Sequence, residues 1–171
     1  MDNFLDKYLS LVNKNTPIII SIGKSISDRI FNKKCTKNQI GNLIYNLKKL
    51  PEQYKYKINH TPNVKIYKSA DKIFTQCKNN VEYKIYEIID TLLHNNNLYI
   101  TYINTMTDPY TLTSINKYDQ ETQVNIMNIT INNNIDIDVK DYKTYYTIDL
   151  ILKKPIQKKI LYDVIENLFN I

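Results

Sequence analysis

Val124-Asn125-Ile126-Met127-Asn128-Ile129-Thr130-Ile131, the run Asn132-Asn133-Asn134, then Ile135-Asp136-Ile137-Asp138-Val139-Lys140: the reading of this stretch decides the fold. Apolar residues recur at every second position, the period of a strand with one buried face. Val124 to Ile131 reads as one strand, with a phase slip near Met127 that suggests a bulge. The asparagine run reads as a turn, and Ile135, Ile137 and Val139 as the inward face of the next strand. Tyr146, Ile148, Leu150 and Leu152 continue the pattern into a third. Pro155 suits the first turn of a closing helix, with Ile156, Ile160, Val164 and Leu168 along one face.

Working back toward the N-terminus, Leu98 to Met106 is a further strand. Val81, Ile85, Ile88, Ile89 and Leu92 predict a helix ending near Asn95, and Ile73 to Lys78 fits a strand or the start of a helix. Tyr54 to Ile58 and Val64 to Tyr67 alternate lysine with apolar or aromatic residues, as two exposed strands would. Thr36 and Gln39 have capping-box spacing, Ile40, Leu43, Ile44, Leu47 and Leu50 form an apolar stripe, and Pro51 stops that helix. Ser25 to Lys34 is polar and compatible with a helix. Pro17 opens a strand over Ile18 to Ile22 that Gly23 closes, and Asp2 to Asn13 reads as a short helix. The expected fold is α+β, an antiparallel or mixed sheet backed by helices, in a single domain over 1–171.

The 171 residues include 28 Ile, 23 Asn, 22 Lys and 15 Tyr, against one Ala, one Arg and two Gly. The abundant types have A/T-rich codons, so the composition points to an AT-rich genome such as an organelle, a giant virus or a linear plasmid. No apolar run approaches the roughly 18 residues of a membrane span. The acids Asp2 and Asp6 fit neither a signal nor a transit peptide. Cys35 and Cys77 are isolated and make neither a disulfide framework nor a zinc site. Two glycines cannot build a phosphate loop or a dinucleotide fingerprint, and no cofactor is expected.

Charge is uneven: residues 1–86 carry a net +10 and residues 87–171 a net −4. Codon bias does not explain that asymmetry, which suits a polyanionic partner as well as a solvated lysine-rich face. The best binding candidate is the interleaved run Lys48, Lys49, Tyr54, Lys55, Tyr56, Lys57, Lys65, Lys68 and Lys72, joined by Lys33, Lys34 and Lys37. Alternating lysine and tyrosine sets ammonium groups on phosphates and rings on bases. Lysine lacks the bidentate fork that reads guanine, so backbone and shape contacts are expected.

Asp136 and Asp138, two apart on a strand, share a face and with Asp141 or Asp119 would suit a hard cation. Asp138-Val139-Lys140 also echoes half of a metal-dependent nuclease site. The preferred reading is a solvated edge strand whose charges discourage aggregation. His60 and His94 lie in different elements, and no nucleophile–base pattern assembles around either. No catalytic or metal-ligating residue is therefore assigned.

The order of elements resembles the family of large-subunit ribosomal protein number five, of bacterial and organellar type. The local match is Asn132 to Asp138, followed without gaps by Thr147-Ile148-Asp149-Leu150 and a helix ending at Phe169. Ile18 to Gly23 looks like that family's first strand, and Ile73 to Leu93 like its strand–helix unit. The family's Phe-Pro-Glu signature is three asparagines here. The resemblance implies a structural, non-catalytic protein of the central protuberance, with ribosomal RNA and neighbouring ribosomal proteins as partners, no small-molecule substrate, no membrane and a mitochondrial location. Two alternatives stand beside it: a viral or plasmid nucleic-acid-binding or virion protein, and a metal-dependent phosphodiesterase built on Asp136 and Asp138.

Overall fold

The computed structural model describes Leu9 and residues 18–27, 30–69, 72–77, 80–85, 92–94, 98–102 and 120–170. Eleven strands are described: β1 (Ile18–Ile22), β2 (Lys24–Ser27), β3 (Ile30–Asn32), β4 (Tyr56–Ser69), β5 (Lys72–Cys77), β6 (Asn80–Ile85), β7 (Leu92–His94), β8 (Leu98–Tyr102), β9 (Gln120–Ile131), β10 (Ile135–Asp141) and β11 (Tyr146–Leu152). Two helices are fully described, α1 (Lys37–Leu47) and α2 (Lys158–Phe169). Nine strands make one sheet in the order β6-β5-β4-β9-β10-β11-β1-β8-β7, and β2 pairs with β3 as a separate hairpin. Every described pairing is antiparallel. The α+β expectation holds.

Alternation in β1, β10 and β11 aims Ile18, Ile20, Ile22, Ile135, Ile137, Val139, Ile148, Leu150 and Leu152 at the helices, all buried. Leu43 and Leu47 of α1 and Leu161, Val164, Ile165 and Leu168 of α2 complete that core. Asn46 Nδ2 donates to Leu168 O at 3.0 Å, tying the two helices together. The capping box forms: Gln39 N donates to Thr36 Oγ1, and Thr36 N donates to Gln39 Oε1 at 2.8 Å. α1 ends at Leu47, and α2 begins three residues beyond Pro155, so that proline precedes the first turn rather than occupying it.

The asparagine run is the turn between β9 and β10, with Asn132 and Asn133 both at positive φ, which asparagine tolerates better than most residues. The bulge, by contrast, lies in β4. Thr61 pairs with Ile126 and Val64 with Val124, so β4 carries one extra residue around Pro62-Asn63, while β9 pairs with β10 without interruption from Asn125 to Ile131. The apolar phase slip in β9 has another cause. Met127, Ile129 and Ile131 face the helices, whereas Val124 and Ile126 face the other side, in a second cluster with Val64, Ile66 and Tyr142.

Four further expectations are corrected. The two expected strands are one strand, β4, paired with β9 along most of its length and with β5 over Lys65–Ser69; Lys55 to Ile58 are exposed as expected, whereas Val64, Ile66 and Tyr67 are buried. The polar stretch Ser25 to Lys34 contains the hairpin β2–β3. The helix expected from Val81 is strand β6 as far as Ile85, because it pairs along its length with β5. β10 lies between β9 and β11, so its charged row is not on a sheet edge. The expected helix over 2–13, apart from Leu9, lies outside the described residues.

Candidate active site

Register decides which side chains meet on the sheet face turned away from the helices. Asp138 pairs with Asn128 on one side and Asp149 on the other, Asp136 pairs with Thr130, Lys140 with Thr147, and Asp149 with Ser21. Partners in register point to the same face, so β9, β10, β11 and β1 together lay down a polar strip. Asn128 Nδ2 donates to Asp138 Oδ1 at 2.8 Å, and Thr130 Oγ1 to Asp136 Oδ1 at 2.8 Å. Lys140 Nζ lies 3.0 Å from Asp149 Oδ2, and Lys153 Nζ 2.6 Å from Asp136 Oδ2. The Ser21 hydroxyl donates to Asp149 Oδ1.

No described helix lies on this face, yet the Asp149 and Lys140 side chains are only 13% and 21% exposed. Burial opposes the charge on Asp149, but Lys140, Lys33 and the Ser21 hydroxyl outweigh it and hold the carboxyl below its ordinary range. An ammonium has three donors, so a lysine fixed by one carboxylate can still offer the others to an anion. At one end of the strip Tyr142 and Tyr145 stack, with centroids 4.7 Å apart, and Lys34 Nζ sits 4.8 Å from the Tyr145 ring centre.

Asp136 and Asp138 share a face as their spacing predicts, but each carboxylate has protein partners. Asp141 Oδ1 accepts from Lys143 N at 2.7 Å within its turn, and Asp119 lies outside the described residues. Among the described residues no group of three or more His, Cys, Asp or Glu side chains is placed to hold a metal ion. The described carboxylates therefore do not make a chelating cluster of their own.

The twelve predicted binding residues separate into groups. Lys48, Tyr54, Lys55, Tyr56 and Lys57 line one cleft of about 570 Å³ beside the end of α1. Lys65 is ten residues beyond Lys55, roughly 30 Å at strand rise, and is paired with Glu121 at 3.0 Å. Lys68 and Lys72 lie farther along, on β4 and β5. Lys33 and Lys34 adjoin the Tyr145 end of the strip. Lys37 opens α1 and is exposed, and Lys49 Nζ lies 4.0 Å from the Tyr45 ring centre. Exposed His60 lines a separate, mostly apolar cleft of about 410 Å³. Lys153, Asp149, Thr130, Asn128 and Ser21 are not singled out as site residues by the sequence, and Lys140 enters only through the Asp138-Val139-Lys140 echo of a nuclease half-site. The signal was there: polar residues alternate on three consecutive strands, which marks a shared face and not one solvated edge.

No protein-family model and no curated protein matches the chain. Solved structures do. The chain is similar to the Pct1 RNA triphosphatase of S. pombe, with a TM-score of 0.64 at 13% identity over 89% of this chain and 76% of that one. The same enzyme in complex with the Spt5 CTD gives 0.62 at 12% identity, over 89% and 77%. The triphosphatase of the Mimivirus capping enzyme gives 0.56 at 12% identity, covering 99% of this chain and 97% of that one.

These likenesses overturn the resemblance to large-subunit ribosomal protein number five and the structural role in translation it implied. The resemblance rested on element order, and the described residues depart from it: within the expected strand–helix unit after Ile73, Lys72–Cys77 and Asn80–Ile85 form the strand pair β5–β6, and a hairpin follows the first strand. Ribosomal RNA and ribosomal proteins lose their support as partners. The expectation of no catalysis is corrected too, because the solved chains that share this fold are enzymes.

Proposed function

We propose that the protein is a phosphohydrolase that removes the terminal phosphate from the 5′-triphosphate end of RNA. The observation that carries this reading is the lysine–carboxylate strip across β9, β10, β11 and β1, on a fold shared with RNA triphosphatases from a yeast and a giant virus. A triphosphate end is a compact polyanion. Lys140 and Lys153, oriented by Asp149 and Asp136, offer ammonium groups to its oxygens, with Lys33 adding positive charge near Asp149.

In the reaction a water oxygen bonds to the terminal phosphorus as the β–γ phosphoanhydride bond breaks. Inorganic phosphate leaves, and the RNA keeps a 5′-diphosphate whose new negative charge rests on the β-phosphate. Catalysis of such a transfer is largely positioning and charge neutralisation. The lysines neutralise the leaving oxygens, and Asp138, fixed by Asn128, is placed to orient the water. A divalent cation carried in with the triphosphate needs only one or two protein carboxylates, since phosphates and waters fill its other positions. Asp136 and Asp138 meet that requirement.

The test is release of labelled phosphate from RNA bearing a γ-labelled 5′-triphosphate, with magnesium, with manganese and with neither. Release with accumulation of 5′-diphosphate RNA is expected in at least one condition. No release in any of them contradicts the reading.

A further inference from the structure

The cleft beside the end of α1 has properties the strip does not explain. Lys48, Lys55 and Lys57 line it against a single acid, Glu52. All three lysines are exposed, and no carboxylate is paired with any of them among the described residues. Tyr56, 37% exposed, stands in the same wall. The backbone beneath is fixed: Lys55 N donates to Asn132 Oδ1 and Asn132 N to Lys55 O, both at 2.9 Å, binding the start of β4 to the β9–β10 turn. The cleft also opens onto the strip. Thr130 lines it, pairs with Lys57 and donates to Asp136.

We infer that this cleft seats the single-stranded RNA chain that follows the 5′ end, with Lys48, Lys55 and Lys57 on backbone phosphates and Tyr56 stacked on a base. The inference rests on the proposed function only for the identity of the 5′ end. Three exposed cations along a groove match a phosphate backbone, and an exposed ring beside them gives bases a sequence-tolerant platform. From Asp136 to Lys140 the strip runs about 13 Å along β10, so a strand held in the cleft has its first phosphates within reach of the lysines beyond.

The experiment uses the full chain and a fluorescent 12-nucleotide RNA with a 5′-hydroxyl, which leaves the triphosphate out of the binding measurement. Lys48→Ser with Lys55→Ser should weaken binding at least tenfold and make the log Kd against log salt slope shallower by about 1.4, two lost single-strand phosphate contacts. Tyr56→Ala should weaken it about fivefold or more without changing that slope. Hydrolysis of inorganic tripolyphosphate, which has no chain to fill the cleft, should be unchanged in the double variant. Wild-type RNA affinity and slope in the double variant overturn the inference. So does equal affinity for a glutamate dodecamer, which has no bases to stack. Loss of RNA binding in the double variant, with no triphosphate hydrolysis by the wild type, leaves the cleft assigned and removes the phosphohydrolase reading alone.

Discussion

Lys140 Nζ sits 3.0 Å from Asp149 Oδ2, and the other carboxylate oxygen accepts from Ser21, so one side chain organises both its neighbours. Asp149 ionises below the ordinary carboxylate range although burial opposes it. A carboxylate with a depressed folded-state pKa stabilises the protein above its unfolded pKa of about 3.9, and that contribution is lost as pH falls through the lower folded value. Asp149→Asn should therefore lower stability at pH 7, by an amount on the order of 3 kcal/mol for a buried ion pair that loses one of its charges. It should also flatten the loss of stability below about pH 4. Urea unfolding of both proteins from pH 7 down to pH 2.5 checks it; parallel curves contradict it. Cys35, 2% exposed, is pushed up to about 11 by burial first and then by the charge of Asp149. Only the thiolate alkylates readily. At pH 8 the native Cys35 should resist iodoacetamide for hours, and react within minutes in denaturant; mass spectrometry of the Cys35 peptide distinguishes the two.

Among the described strands of the nine-stranded sheet, β4 is shaped by an irregularity. Asn63 has φ 57, its N–H donates to Asn125 Oδ1 at 3.1 Å, and its own Oδ1 accepts from Gln123 Nε2 at 3.0 Å. A β-branched side chain at positive φ is strained, so Asn63→Val should cost about 2 kcal/mol while Asn63→Gly costs less. Equal melting temperatures for the two variants contradict this account of the bulge. The contrast between elements also shows what the sequence could reveal. β10, β11, α1 and α2 were legible because an alternating or helical apolar face, a capping box and an asparagine turn agree with one another. β6 was not: Val81 and Ile85 fit a helical stripe, and only pairing with β5 makes them a strand. The apolar slip in β9 is legible but its cause is not, since a sequence cannot show that both faces of one strand are buried at different points along it.

Across the whole molecule, the sheet divides its work between faces. One carries the helices and the main core, and the other carries the strip. That division is only half legible in the sequence. Asp136 and Asp138 were recognised as sharing a face, but their partners Asn128, Thr130 and Asp149 come from neighbouring strands, and pairing order is a tertiary fact. The basic patch is legible as a composition and not as a place: Lys48, Tyr54, Lys55, Tyr56 and Lys57 gather in one cleft, while Lys65 lies far along β4. The central claim is that the strip performs the chemistry, and the most direct test compares phosphate release from triphosphate-ended RNA by Lys140→Met and Lys65→Met, with circular dichroism confirming that both are folded. Lys140→Met should lower kcat about 100-fold, in line with the loss of one positioned charge at a phosphoryl site. Lys65→Met should leave it within about twofold, because that cation is paired with Glu121 away from the strip. A folded Lys140→Met with the wild-type kcat would contradict the account.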